Sequence, residues 1–122
     1  MSAFENRRFP RFEQNWTALI VVDDKQHTVT LENISREGMT IIGDLQLSVG
    51  TEYPLTVFAK DSVMEWPLRC RIAIKHRSGN APDMTYGCYI STKSSFMSDF
   101  WLRYLDRQTE LAVFNKYRHS RV

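Results

Sequence analysis

From Trp16 to Val22 the chain alternates, with Trp16, Ala18, Ile20 and Val22 on one side and Thr17, Leu19 and Val21 on the other. A period of two predicts a strand, and apolar residues on both sides predict a largely buried one. Asp23-Asp24-Lys25-Gln26 is a polar turn. His27 to Glu32 alternates again, Val29 and Leu31 opposing Thr28 and Thr30, so the two runs predict a hairpin. Asn33 to Gly38 is rich in turn residues, and Met39 to Ile42 is short and β-prone. Strands are further predicted over Tyr53 to Ala59, Trp66 to His76 and Met84 to Ile90, with a loop at Ser78 to Asp83. In the long strand Leu68, Cys70, Ile72 and Ile74 share a face, while Arg69, Arg71, Lys75 and the neighbouring Arg77 are polar.

After Ile90 the period shifts to about 3.6. Ser94 or Ser95 is placed to cap a helix, and Asp99 lies in its first turns, where the helix dipole favours an acid. Phe96, Phe100, Trp101, Tyr104, Leu105, Leu111 and Phe114 form an apolar stripe that predicts packing against a sheet. Six or so short strands followed by one helix predict a mainly β fold, a small six-stranded antiparallel β-barrel with a C-terminal α-helix. Residues 1–13 contain Phe9-Pro10 and no regular period, which predicts a flexible N-terminal arm. The barrel is expected over 14–93 and the helix with a basic tail over 94–122.

At 122 residues the chain has the length of one domain. Its 43 % apolar and 25 % charged residues are ordinary globular proportions, and no apolar run reaches the length of a membrane span. The net charge of +2 is unevenly placed. Residues 1–15 hold three Arg and two Glu, residues 116–122 hold Lys116, Arg118 and Arg121 without an acid, and the middle holds ten bases and twelve acids. That predicts anion binding at the ends rather than a basic stripe on the body. Cys70 and Cys88 lie in apolar segments, and the N-terminus lacks an apolar signal core. Reduced, buried thiols and a cytoplasmic location are expected.

The three histidines, His27, His76 and His119, are too scattered for a metal site, and neither a nucleophile elbow nor a phosphate loop is present. The expectation is a binding protein with no catalytic residues, no metal and no cofactor. Two segments carry candidate chemistry. Arg7-Arg8-Phe9-Pro10-Arg11 offers guanidinium forks suited to phosphate oxygens and to the O6 and N7 acceptors of guanine. Asn33-Ile34-Ser35-Arg36-Glu37-Gly38 combines short polar side chains with a glycine that permits close backbone approach.

In that order, RxxxR (Arg7, Arg11) followed one hairpin later by [DN]xSxxG (Asn33, Ser35, Gly38), the two segments resemble the PilZ domain family. The likeness extends over about residues 5–92 and includes the apolar-flanked glycine of Tyr86-Gly87-Cys88. It implies a PilZ-type barrel and a receptor for the bacterial second messenger cyclic di-GMP. Arg7 and Arg11 would hold phosphate and guanine edges, with Arg8 as a third contact. Asn33 and Ser35 would bond a guanine from the barrel side, and Gly38 would let the turn come close. The ordered arm would then signal to an unidentified downstream protein. Asn6, before the first motif arginine, leaves one or two ligands open. His76 falls near a position that is often aromatic in the family, which sets stacking on a guanine beside its plain reading as a surface histidine. The competing readings are an adaptor that works through protein contacts alone, and a nucleic-acid-binding barrel with basic ends.

Overall fold

The computed structural model describes residues 12–60 and 63–120, with the side chains of Glu13 and of residues 112–120 left aside. Arg7, Arg8, Arg11 and the end of the basic tail therefore lie outside the described residues. Six strands follow one another, β1 (Phe12–Val22), β2 (Lys25–Ile34), β3 (Gly38–Gly43), β4 (Glu52–Lys60), β5 (Glu65–Ser78) and β6 (Met84–Lys93), and then one helix, α1 (Ser95–Ser120). They form a closed antiparallel barrel in the order β1-β2-β3-β6-β5-β4, with β1 pairing to β4 to complete the ring.

The alternation seen in the sequence is the alternation of the barrel wall. Trp16, Ala18 and Ile20 from β1, Val29 and Leu31 from β2, and Leu68, Cys70, Ile72 and Ile74 from β5 all point into one core. The β1–β2 turn is tighter than the four polar residues suggested. Only Asp23 and Asp24 are unpaired, both with positive φ (52° and 64°), the geometry of a two-residue hairpin turn that matches strand twist. Aspartate tolerates this region better than most residues because its short side chain bonds locally.

A barrel has two ends, and the two are sealed differently. At one end the β3–β4 connection folds over, burying Leu47. Tyr86, fully buried on β6, ties it down: its hydroxyl donates to the Leu45 carbonyl at 2.6 Å and accepts the Leu47 N–H at 3.1 Å. At the other end α1 lies across the opening. Ser94 caps it, accepting the Met97 N–H at 3.1 Å. The first turn holds no acid, so Asp99 falls in the second turn, where the dipole is already weak.

The helical stripe differs in part from the expected one. Met97, Trp101 and Leu105 are buried, and Phe100 and Tyr104 pack on the core, whereas Phe96 (54 % exposed) and Leu111 (46 %) face outward. Phe114 lies beyond the described side chains. The reason is aromatic docking. The Phe100 ring sits 5.2 Å from Trp66 of β5 and Tyr104 sits 5.1 Å from Trp16 of β1, edge to face, and this pair of contacts selects which side of α1 turns inward.

Two other expectations change. Phe12 and Glu13, read as arm, belong to β1 and pair with Ile34 and Asn33. The body does carry a cationic strip, because Arg69, Arg71, Lys75 and Arg77 are all exposed along β5. The balance of the whole chain concealed it, since alternation gathers on one wall charges that a sum scatters. Neighbours take up part of it: Glu52 pairs with Arg71 at 3.3 Å, Gln46 accepts from Arg77 at 3.3 Å, and Lys75 Nζ lies 4.7 Å from the centre of the Tyr89 ring.

Two predictions arise from this packing. Tyr86→Phe leaves the Leu45 carbonyl and the Leu47 N–H without their shared partner, so urea unfolding should show a loss of about 1–3 kcal/mol. An unchanged midpoint would mean that the hydroxyl does not hold the connection. Cys70 and Cys88 are free and buried, and burial pushes both thiols from 9.0 up to about 12, with Lys93 partly opposing this at Cys70 and Cys70 adding to it at Cys88. A thiol that holds its proton more tightly when folded gives stability that is intact below pH 9 and lost as pH rises from there toward 12. Between pH 9 and 10.5 in reductant, the wild-type protein should lose stability more steeply than a Cys70→Ala/Cys88→Ala variant, by up to ~1.4 kcal/mol per pH unit for each thiol. Parallel slopes would contradict it.

Candidate functional site

The Asn33–Gly38 segment lies at the barrel end covered by α1. Asn33 and Ile34 close β2, Ser35 to Glu37 make the turn, and Gly38 opens β3. The turn is held by its own backbone. Ser35 N–H donates to the Gly38 carbonyl at 2.9 Å, and the Glu37 carbonyl accepts from Ile90 N–H at 2.8 Å. The Ser35 hydroxyl reaches the Gly38 carbonyl only at 3.5 Å, at the weak limit of a hydrogen bond. On the far side Trp101 of α1 donates its indole N–H to the Ser35 carbonyl at 2.9 Å, and Arg36 meets Asp106 at 3.3 Å.

Asn33 shows a sign of unfinished business. Its side-chain Oδ1 is buried and has no hydrogen-bond partner among the described residues. Leaving a buried acceptor unpaired costs about 1–3 kcal/mol, so such an atom points to a donor supplied from elsewhere.

Register places other groups beside it. Asn33 pairs with Thr40, Thr40 with Gly87, and Gly87 with His76, so these four residues form one row across β2, β3, β6 and β5 on the outer wall. At Gly87 the wall has no side chain of its own, and the His76 imidazole occupies the place where a Cβ would stand. The row runs from a carboxamide through a hydroxyl and a bare backbone to an exposed imidazole. Residue patterns singled out Asn33 and His76 separately, but only strand register brings them into line.

The glycines do different work from each other. At Gly38 the close approach that the structure describes is to β6: a Cβ there would fall on the Cys88 carbonyl oxygen. The arm is placed by its anchor. Phe12 pairs with Ile34, next to Ser35. Arg11 is the very next residue upstream, and Arg7, five residues from Phe12, is within about 17 Å of it even if fully extended. In sequence all three arginines come just before the point where the described chain begins, beside the turn. Among the described residues no group of three His, Cys, Asp or Glu side chains is placed to hold a metal ion, and no helix is long and apolar enough to cross a membrane.

Fold and site together define a small closed-barrel module with a polar turn at the end that the helix covers. The chain belongs to the PilZ domain family, whose model matches residues 5–95. Its structure is similar to that of the inhibitor of motility MotI/DgrA from Bacillus subtilis, with a TM-score of 0.72 and 14% identity over 84% of this chain and 50% of that one. It is also similar to YcgR from Escherichia coli, determined in complex with c-di-GMP, with a TM-score of 0.63 and 16% identity over 94% of this chain and 47% of that one. The chain spans about half the length of each, and at these identities the likeness is one of fold. No curated protein matches the sequence.

Gly38→Ala tests how the turn is built. The added methyl must push β3 from β6 where Ile90 holds Glu37, so we expect a loss of about 1–3 kcal/mol in denaturant unfolding. Wild-type stability would show that the β3–β6 approach is not the constraint on this position.

Proposed function

We propose that this protein binds cyclic di-GMP at the Asn33–Gly38 turn and passes the signal to a partner protein. The observation that carries the reading is the buried Oδ1 of Asn33, without a partner among the described residues, in a family motif and beside Phe12, which follows the arginine segment in sequence. Guanine offers N1–H and N2–H donors that suit this oxygen, and the Ser35 hydroxyl adds a second short polar contact. Arg7, Arg8 and Arg11 bring positive charge and bidentate forks for two phosphates and the guanine O6/N7 edges. His76, at the far end of the row, borders the same ligand. YcgR, which shares the fold, was determined in complex with the same dinucleotide, and this supports the choice. The work is binding rather than catalysis. Segment 1–11 orders around the ligand and presents a new surface, in the cytoplasm where the two buried thiols stay reduced.

A second reading is favoured by the exposed cations of β5: a polyanion such as nucleic acid lying along Arg69, Arg71, Lys75 and Arg77. It predicts steep loss of affinity with salt and preference for a polymer over the dinucleotide.

Isothermal titration separates the two. Cyclic di-GMP should bind the wild-type protein, and Arg11→Ala and Ser35→Ala should each weaken binding, the arginine change by roughly 1.5–3 kcal/mol. Arg71→Ala should leave it unchanged. No binding to the wild type, or a loss confined to Arg71→Ala, would overturn the proposal.

A further inference from the structure

The Ser35 carbonyl is the backbone group of the Asn33–Gly38 turn that is bonded to the helix. Its partner is the indole N–H of Trp101, at 2.9 Å. Trp101 has no exposed surface and lies on α1 between Met97 and Leu105, which are also buried. An indole nitrogen is a donor only, so burying Trp101 requires an acceptor, and the turn supplies it. The same peptide that accepts this bond carries the Ser35 side chain, two residues from the unpartnered Asn33. One residue further, Arg36 reaches Asp106 on the next exposed turns of α1. That exposed pair adds little energy but repeats the connection.

We propose that Trp101 is a positioning residue for ligand binding, and that through it occupancy of the turn is coupled to the seating of α1. The inference rests on the reading of the turn as a cyclic di-GMP site. The indole N–H holds the Ser35 peptide in one orientation, and so holds the hydroxyl and the Asn33 carboxamide on the ligand side. Because coupling between two sites is reciprocal, a ligand that binds best to the seated turn must in turn favour the seated helix. The binding event then reaches the outward face of α1, where Phe96, Leu102 and Leu111 are exposed, without any contact between ligand and helix.

The test compares two substitutions. Trp101→Phe keeps an aromatic ring and removes the donor. Phe100→Leu removes the ring contact with Trp66 and leaves the Trp101–Ser35 bond in place. Both should lower the melting temperature. In titration with cyclic di-GMP, Trp101→Phe should raise Kd about tenfold, whereas Phe100→Leu should stay within about twofold of wild type. Independently of any variant, saturating wild-type protein with cyclic di-GMP should slow amide hydrogen exchange over residues 97–105. Wild-type affinity in Trp101→Phe, equal weakening in both variants, or unchanged exchange over 97–105 with ligand bound would each overturn the coupling while leaving the binding site intact. Absence of any binding by the wild-type protein would overturn the ligand reading and the coupling with it.

Discussion

A six-stranded sheet closed by the β1–β4 pairing has no free edge, but it has two open ends, and the core survives only if both are kept from water. This constraint explains the rest of the molecule. One end is closed by the β3–β4 connection pinned by the Tyr86 hydroxyl. The other is closed by α1, whose Phe100 and Tyr104 meet Trp66 and Trp16. The Asn33–Gly38 turn, the start of β1 and the helix all gather at that second end because β2, β3, β6 and β1 reach it together. The site is therefore a consequence of how the barrel is sealed.

The division of labour within the motif follows from the same geometry. Gly38 serves the β3–β6 contact, Gly87 makes room for the His76 imidazole, and Ser35 is shared between turn and helix. Asn33 alone has a buried polar atom that the described chain does not satisfy. Among the described residues that oxygen is a buried acceptor still open to a donor.

Much of this was legible in the chain of letters. Period-two runs located β1, β2 and β5 and their inward faces, since a pleated wall with a dry interior demands that pattern, and short β-prone runs between turn signals located the other three strands. The shift to a helical period after β6 was equally plain, and of the two serines that the sequence offered as its cap the structure uses Ser94. What the letters concealed depends on neighbours distant in sequence. The row Asn33–Thr40–Gly87–His76 exists only through register, the bond from Trp101 to Ser35 spans most of the chain, and the inward side of α1 was decided by the two tryptophans of the barrel rather than by its own stripe. The cations of β5 were visible one by one, but their alignment on a single wall emerged only with the strand itself.

The central claim is that the dinucleotide is held at the α1 end of the barrel by the Asn33–Gly38 turn. Its most direct test is the amide spectrum of isotopically labelled protein titrated with cyclic di-GMP. Saturable shifts are predicted at residues 33–38, at the Asn33 side-chain amide, and along the row through Thr40, Gly87 and His76. Shifts gathered instead along Arg69–Arg77, or a spectrum that does not move, would contradict it.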